Sequence, residues 1–518
     1  MMLHHYFAKG LLVSACISAA LTFSNPVQAQ TADSIRNTAT EVLDAFNIPG
    51  LAVVAVKDGE IILAEGFGVR DIATQAPVNA DTLFGIASNT KAFTSAAIGT
   101  LVEQGKLHWD DKVIEYIPEF RLADAQLTRE LTIRDLLSHR SGLGLGAGDL
   151  MIWPNTDKDI HSLLAGLAYV PVQRGLRERF AYNNLMFVTA GEVIARVSGM
   201  PYADYIAQTF LEPLNMSNTR VGFSTIPEST TNLATGTIEK EGELYRFPLD
   251  YLEDFSAAGA MASSVNDLSQ WLLTQLQGGV APSGERVFSE ATQHEVWQVA
   301  MPLGVPADAA KTGTHFRGVG MGWFLKDYYG VKHISHSGGI LGMLSLTTLI
   351  PEKNFGMVVL SNQQAFGGLT AITEEALEDL LDLPDRDWVA EEQAEYQAFM
   401  QRKAEFQLSQ PELVRDALPL LAYSGTYNDP WYGDIKVTFA DDQLRLDFTH
   451  TELLKGRLEH YNGDTFVVRW DEALLEADAF IEFNVTRDNE VQGARMEAVA
   501  PFTDFSFDFH NLRLLKLR

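Results

Sequence analysis

The sequence predicts an α/β domain with a helical insertion, followed by a separate all-β unit. Three observations carry this. Strand-like runs at 51–56 and 61–66 find counterparts at 331–336, 343–350 and 357–360, with a mostly helical stretch between, so one sheet is built from distant segments. From about Ala422 the texture changes to short alternating runs parted by turn pairs. The 518 residues are 46% hydrophobic, enough apolar material for large cores.

The first 29 residues carry Lys9, an apolar stretch from Leu11 to Phe23 and the small-residue site Val27-Gln28-Ala29. This reads as a signal peptide cleaved after Ala29, and hence a periplasmic or secreted protein. A rival reading makes Val13-Ser14-Ala15-Cys16 a lipobox and Cys16 the lipidated first residue, but few apolar residues precede Cys16. Cys16 is the sole cysteine, so cleavage after Ala29 removes any route to disulfides, a cysteine nucleophile or a zinc–thiolate site.

A helical pattern over 32–46 closes at Pro49-Gly50, and Asp58-Gly59 joins the first two strands as a hairpin. After the last sheet strand come ten acids against one arginine between Glu374 and Glu395, with Leu377, Leu380 and Leu381 at helical spacing. They predict a closing helix and a charged linker helix. The all-β unit reads as strands at 434–439, 444–448, 465–470, 480–485, 494–499 and 505–509, turning at Asp441-Asp442, Asn462-Gly463 and Asp488-Asn489. The expected organisation is an α/β domain over 30–385, a helical linker over 386–418 and a barrel-like domain over 419–518. Their hydrophobic patterns are separate, which predicts independent folding.

Charge narrows the partners. Lys and Arg number 39 against 68 Asp and Glu, a net charge of −29, and no basic run is present. Nucleic-acid backbones and anionic lipid surfaces need clustered cations, so neither is expected. No later run of 18 apolar residues follows the leader, so no stable membrane insertion is expected either. Small peptide, amide or ester substrates fit better.

Three short patterns carry chemistry. Phe84 to Lys91 leads into a helix with Ser88 at its start, where unpaired N–H groups favour developing negative charge, and with Lys91 one turn on. A buried lysine loses its proton readily and can activate the serine. Tyr182 and Asn184 precede another helix ending at Gly199; a tyrosine beside a lysine cation can have a lowered pKa and act as a base. His336-Ser337-Gly338-Gly339 lies on a late strand whose small residues admit a substrate backbone and whose N–H groups can complete an oxyanion hole. Taken singly, a serine cap, a Tyr-Asn loop and a structural histidine are the better explanations of the three patterns.

Ser88-x-x-Lys91, Tyr182-x-Asn184 and His336-x-Gly338, in that order, resemble the penicillin-recognising serine hydrolases, particularly the class C β-lactamase, D-alanyl-D-alanine carboxypeptidase and esterase group of the peptidase S12 type. The stretches 131–143, 213–216, 258–268 and 320–323 are also similar to that family, and the resemblance covers roughly 35–365. It implies a β-lactamase/transpeptidase-like fold, an antiparallel sheet flanked by helices plus a helical subdomain. It also implies Ser88 as the acylated nucleophile, Lys91 and Tyr182 as the proton-transfer pair, and Asn184, His336, Ser337 and Gly338 as substrate contacts. The N–H groups of Ser88 and Gly339 would form the oxyanion hole, and no metal or other cofactor is implied.

His336 stands where many β-lactamases carry the lysine of a Lys-Thr-Gly motif, which demotes β-lactam hydrolysis below peptides with D-residues or D-Ala-like termini and below small esters. The literal Lys311-Thr312-Gly313 lies in a loop-like stretch upstream of that strand and reads as a coincidence. The tail from Tyr423 resembles the lipocalin-like barrel of some relatives, where it shapes the active-site entrance or the oligomer; a homo-oligomer is compatible with this. Its interior is read as packed in preference to holding an apolar ligand. A non-catalytic muropeptide- or partner-binding protein is the alternative of a different class, and it would not require Ser88, Lys91 and Tyr182 together.

Overall fold

The computed structural model describes residues 26–247, 249, 255–307, 309 and 313–518. Asp58 and Gly59 both take positive φ, 53° and 85°, the geometry that folds strand Gly50–Lys57 back onto Glu60–Asp71. Gly50–Lys57 is apolar and buried almost throughout, as a strand covered on both faces must be. Its other edge pairs antiparallel with Phe355–Ser361, Val53 opposite Val359. The sheet then runs through Met343–Ile350, Val331–Ile340, Phe324–Tyr328, Arg317–Val319 and Met301–Leu303, and Ala76–Pro77 closes the far edge. Nine strands, antiparallel throughout, thus join the two ends of the α/β domain.

Helices cover both faces. Pro26–Ala45 and Phe366–Leu381 pack on one, where Ile35, Ala39, Val42 and Phe46 meet Leu369, Ile372 and Leu377. The first helix reaches back at least to Pro26, the first described residue, earlier than the expected residue 32. It therefore crosses the expected cleavage point at Ala29. Residues 1–25 of the expected signal peptide, including Lys9 and Cys16, lie outside the described residues. On the other face lie Val265–Leu276 and the helical subdomain with Thr90–Glu103 and Asn184–Ser198. Phe93 stacks on Trp271 there at 4.0 Å.

The C-terminal unit is a closed eight-stranded barrel, Leu514–Lys516 pairing with both Gly425–Asp429 and Val491–Ala498. Rings fill its interior: Tyr427, Tyr432, Phe448, Trp470, Phe483 and Phe509 are all buried, with Phe448 to Trp470 at 5.6 Å and Trp470 to Phe509 at 5.8 Å. This is a packed core, not a ligand cup.

Three expectations fail here, beginning with strands outside the expected set: Gly425–Asp429, Lys455–Asn462 and Leu514–Lys516. Lys455–Asn462 is a strand although its charged outward positions, with Gly456 inside, hide the alternation. The run 505–509 alternates like a strand yet pairs with none. It crosses instead to the α/β domain, where Asp508 Oδ2 accepts from the Gly148 N–H at 2.7 Å and Phe507 meets Trp153 edge-on at 6.4 Å. The Trp431 carbonyl lies 2.9 Å from where a side chain on Gly166 would begin, so the backbones meet directly. Across this seam a single apolar cluster runs from the helical subdomain into the barrel, where the sequence pattern predicts two separate cores. The linker is the helix Trp388–Glu405, fastened by the Trp388 indole N–H on Glu378 at 2.5 Å.

Candidate active site

Ser88 stands in a 3₁₀ turn, Ala87–Asn89, that runs straight into helix Thr90–Glu103. Ala87 takes φ 49°, a left-handed conformation that costs a non-glycine residue about 1 kcal/mol or more. The surroundings hold it there: Ser345, on strand Met343–Ile350, donates to the Ile86 carbonyl at 2.6 Å and accepts from the Asn89 amide at 2.7 Å. The nucleophile turn is thereby pinned to the sheet.

Lys91 follows one helical turn on and is wholly buried. Its Nζ lies 3.0 Å from Ser88 Oγ, 2.9 Å from Asn184 Oδ1 and 2.6 Å from the Ala258 carbonyl. Burial pulls its pKa down to about 7, against a smaller upward pull from Asp149, so near neutral pH a large fraction of Lys91 is an uncharged amine facing Ser88.

Tyr182 also reaches Ser88, with Lys91 Nζ 4.9 Å from its ring centre. The lowered tyrosine pKa expected from that cation is not found. Burial raises it, the Ser88 hydroxyl opposes this only in part and Asp149 adds to it, so Tyr182 holds its proton at neutral pH. His139 stacks beneath it at 4.2 Å, its Nδ1 accepting from the Asn183 N–H at 3.1 Å. The loop that carries Tyr182 is braced by Asp135, fully buried and paired with both Arg140 and Arg177 at 2.6 Å.

His336 comes from strand Val331–Ile340, 5.4 Å from the Phe324 ring and 6.3 Å from Tyr182. Its Nδ1 donates to the Ser337 carbonyl at 2.6 Å, and burial with Lys91 nearby pulls its pKa down to about 3. It is a neutral imidazole. The neighbouring strand Phe324–Tyr328 stops pairing at Ser335, while Met343–Ile350 continues to Ile340. Among the described residues no strand pairs with the other edge of 336–340 beside Ser88, where an extended peptide can add its backbone.

Ser337 and Gly339 border the cavity, but Gly338 does not. A side chain on Gly338 would begin 2.4 Å from the Ile86 carbonyl, so glycine is required there for packing against the nucleophile turn. Asn184 is held between Lys91 and Asp149, its Nδ2 donating to Asp149 Oδ2 at 2.8 Å.

The cavity measures about 520 Å³ and brings together Ser88, Tyr182, Asn184, His336, Ser337 and Gly339. Its other walls are mixed: apolar Trp153, Phe255, Ile340, Phe399, Phe502 and Phe505 stand beside polar Glu239, Gln363, Gln364 and Asp504. Sequence reasoning missed Asp149 and, although the resemblance raised the tail as part of the entrance, the barrel residues that reach the site. Gly142, Gly146 and Gly148, at φ 93°, 61° and 84°, mark the tight loop before Asp149 and were an available signal; the 505–509 stretch gave only a misleading alternation. Lys311 and Thr312 lie outside the described residues.

The Beta-lactamase family profile matches residues 35–380, and a domain of unknown function, DUF3471, matches 409–516. An unguisins hydrolase of Aspergillus violaceofuscus is 29% identical over 462 residues, covering 82% of this chain and 81% of its own. Protein flp of Staphylococcus aureus is 27% identical over 322 residues, 62% of this chain and 61% of its own. Among solved structures, the octameric penicillin-binding protein homologue from Pyrococcus abyssi aligns with TM-score 0.58 and 23% identity over 93% of this chain and 99% of its own. The D-amino acid amidase from Ochrobactrum anthropi aligns with TM-score 0.57 and 23% identity over 68% and 99%. On this match and this fold, the chain belongs to the β-lactamase family of serine hydrolases.

Proposed function

We propose that the protein is an exported hydrolase that cleaves amide bonds through an acyl-enzyme on Ser88, with D-residue-containing peptides or amides as its first substrate class. The observation that carries the mechanism is the buried, largely neutral Lys91 amine 3.0 Å from Ser88 Oγ. Lys91 takes the serine proton as Oγ attacks the carbonyl carbon, and the N–H groups of Ser88 and Gly339 receive the oxyanion. Tyr182, still protonated, passes its proton to the departing amine and recovers one from Lys91. Water then attacks the ester, loses its proton to the same pair and releases the acid, restoring Ser88.

The walls support the substrate class. Among the described lining residues, the candidate cations are occupied or neutral: Lys403 pairs with Glu476, and His336 is neutral. A free terminal carboxylate would find no partner there, which favours amides and internal peptide bonds with apolar side chains over D-Ala-like termini. The relatives named for unguisins hydrolysis and D-amino acid amidase activity point the same way. Export rests on the leader-like 1–29 sequence.

The test is labelling with a fluorophosphonate probe, located by peptide mass spectrometry, with a screen of D-amino-acid amides, p-nitrophenyl esters and a chromogenic cephalosporin. Labelling at Ser88, its loss in Ser88→Ala and a preference for D-amides are expected. Undiminished turnover in Ser88→Ala overturns the mechanism, and a preference for the cephalosporin overturns the substrate class.

A further inference from the structure

Asp149 is a buried carboxyl that the steps above do not use. Its Oδ2 accepts two hydrogen bonds, from Asn184 Nδ2 at 2.8 Å and from the Ser506 hydroxyl of the barrel at 2.9 Å. Its Oδ1 has no hydrogen-bond partner among the described residues. Asn184 turns its own Oδ1 to Lys91 Nζ at 2.9 Å. A carboxamide is nearly symmetric in shape, so its partners alone decide which end faces the lysine. An acceptor on one side commits the NH₂ end to that side.

We infer that Asp149 is a positioning residue, held by Ser506 of the barrel, that fixes the Asn184 carboxamide with its oxygen on Lys91 and thereby sets the basicity of the amine that activates Ser88. Its kinetic consequence rests on the serine-hydrolase reading; its effect on Lys91 does not.

The electrostatics agree with the geometry. Burial raises the Asp149 pKa to about 8, with Asp508 raising it further and Asn184, Ser506 and Lys91 opposing. A proton on the unpartnered Oδ1 leaves Oδ2 accepting both bonds, so the orientation holds in either state. The charged and titratable groups facing Lys91 are Asp149, Tyr182, His139 and His336, and both histidines are pushed towards neutrality by burial. Of these only Asp149 pulls the Lys91 pKa upward, and it does so through its ionised fraction, so its removal lowers the Lys91 pKa.

The experiment uses the full chain with ¹³C at the lysine Cε, the Lys91 signal being assigned through Lys91→Arg, and follows its titration from about pH 5 to 10. In Asp149→Asn the Lys91 midpoint falls by about half a unit or more. Ser88 labelling by the fluorophosphonate falls about tenfold at its maximum, while its acidic limb moves to lower pH. Ser506→Ala shifts both in the same direction by less, and the double variant adds nothing to Asp149→Asn, because Ser506 acts through Asp149. Ser506→Ala, which loses one hydroxyl, also carries the test should Asp149→Asn not fold.

An unchanged Lys91 midpoint in these variants overturns the inference, even if labelling falls. If wild type shows no Ser88-dependent labelling while the midpoint still falls, the hydrolase reading fails and the positioning role stands.

Discussion

The Phe505 ring of the barrel meets the Tyr182 ring of the α/β domain edge-on, with centroids 5.9 Å apart and planes at 78°. The cavity at Ser88 is therefore walled by both the α/β domain and the tail. An aromatic pair of this kind is worth about 0.5–1.5 kcal/mol beyond its buried area.

Phe505→Ala should accordingly raise KM for substrates with large apolar side chains by roughly three- to tenfold, and alter small amides less. Steady-state kinetics on a graded series of side chains checks this. A chain cut after Glu405 should do worse, since it bares Trp153 and the Gly166 backbone that the barrel covers. Loss of solubility or of Ser88 labelling is expected, and a soluble, fully active truncation would show that the shared core is dispensable.

The Lys91 pKa of about 7 sets the pH dependence. Below it the amine is protonated and cannot accept the serine proton, so kcat/KM should fall about tenfold per pH unit on the acid side. Stability moves with the same group. Because the folded pKa is depressed from 10.5, the unfolded chain binds more protons between about 7 and 10.5, and stability rises with pH across that window. Lys91→Met should therefore be inactive yet melt higher than wild type, with a wider gap at pH 6 than at pH 9. Thermal melts at the two pH values decide the point.

Gly338 and Gly339 should separate. A methyl on Gly338 would meet the Ile86 carbonyl and Ser345 Oγ, both at 2.4 Å, whereas on Gly339 it would meet only the mobile end of Leu344 at 3.3 Å. Gly338→Ala should cost about 2 kcal/mol of stability and distort the turn bearing Ser88, lowering turnover steeply. Gly339→Ala should leave stability within about 0.5 kcal/mol while lowering turnover through the crowded oxyanion position. Denaturant unfolding beside kinetics tests both, and equal stability losses would refute the packing account of Gly338.

His336, with its pKa at about 3, should add no inflection to the rate profile between pH 4 and 9. His336→Lys introduces a cation where a substrate carboxylate could lie. It should lower KM for carboxylate-bearing substrates about tenfold, leaving neutral esters less affected, and the gain should fade as pH rises through the new lysine's pKa. The ratio of KM values for paired acid and amide substrates measures it; a ratio equal to wild type at every pH would place His336 away from the carboxylate.

Ser88, Lys91, Tyr182, Asn184 and His336 were legible because they lie in, or two residues before, elements whose apolar spacing is regular, and because their order resembles that of a known serine-hydrolase family. The hairpin at Asp58-Gly59 and the barrel turn at Asp441-Asp442 were legible for the same reason, since positive φ at both residues restricts what can occupy them. The protonation states were decided by tertiary packing. Lys91 is partly uncharged near neutral pH, Tyr182 protonated and His336 neutral because of what the fold stacks around them, and desolvation leaves no mark on local sequence.

The same holds for the barrel's reach into the site. Phe505-Ser506-Phe507-Asp508 alternates as a strand does, and only the docking of two domains turned Phe505 onto Tyr182 and Ser506 onto Asp149. Sequence alone determined which residues could do the chemistry, because side-chain type and local spacing are properties of the chain. Tertiary structure decided their charges, their orientation and the shape of their cavity, because these depend on contacts between segments hundreds of residues apart.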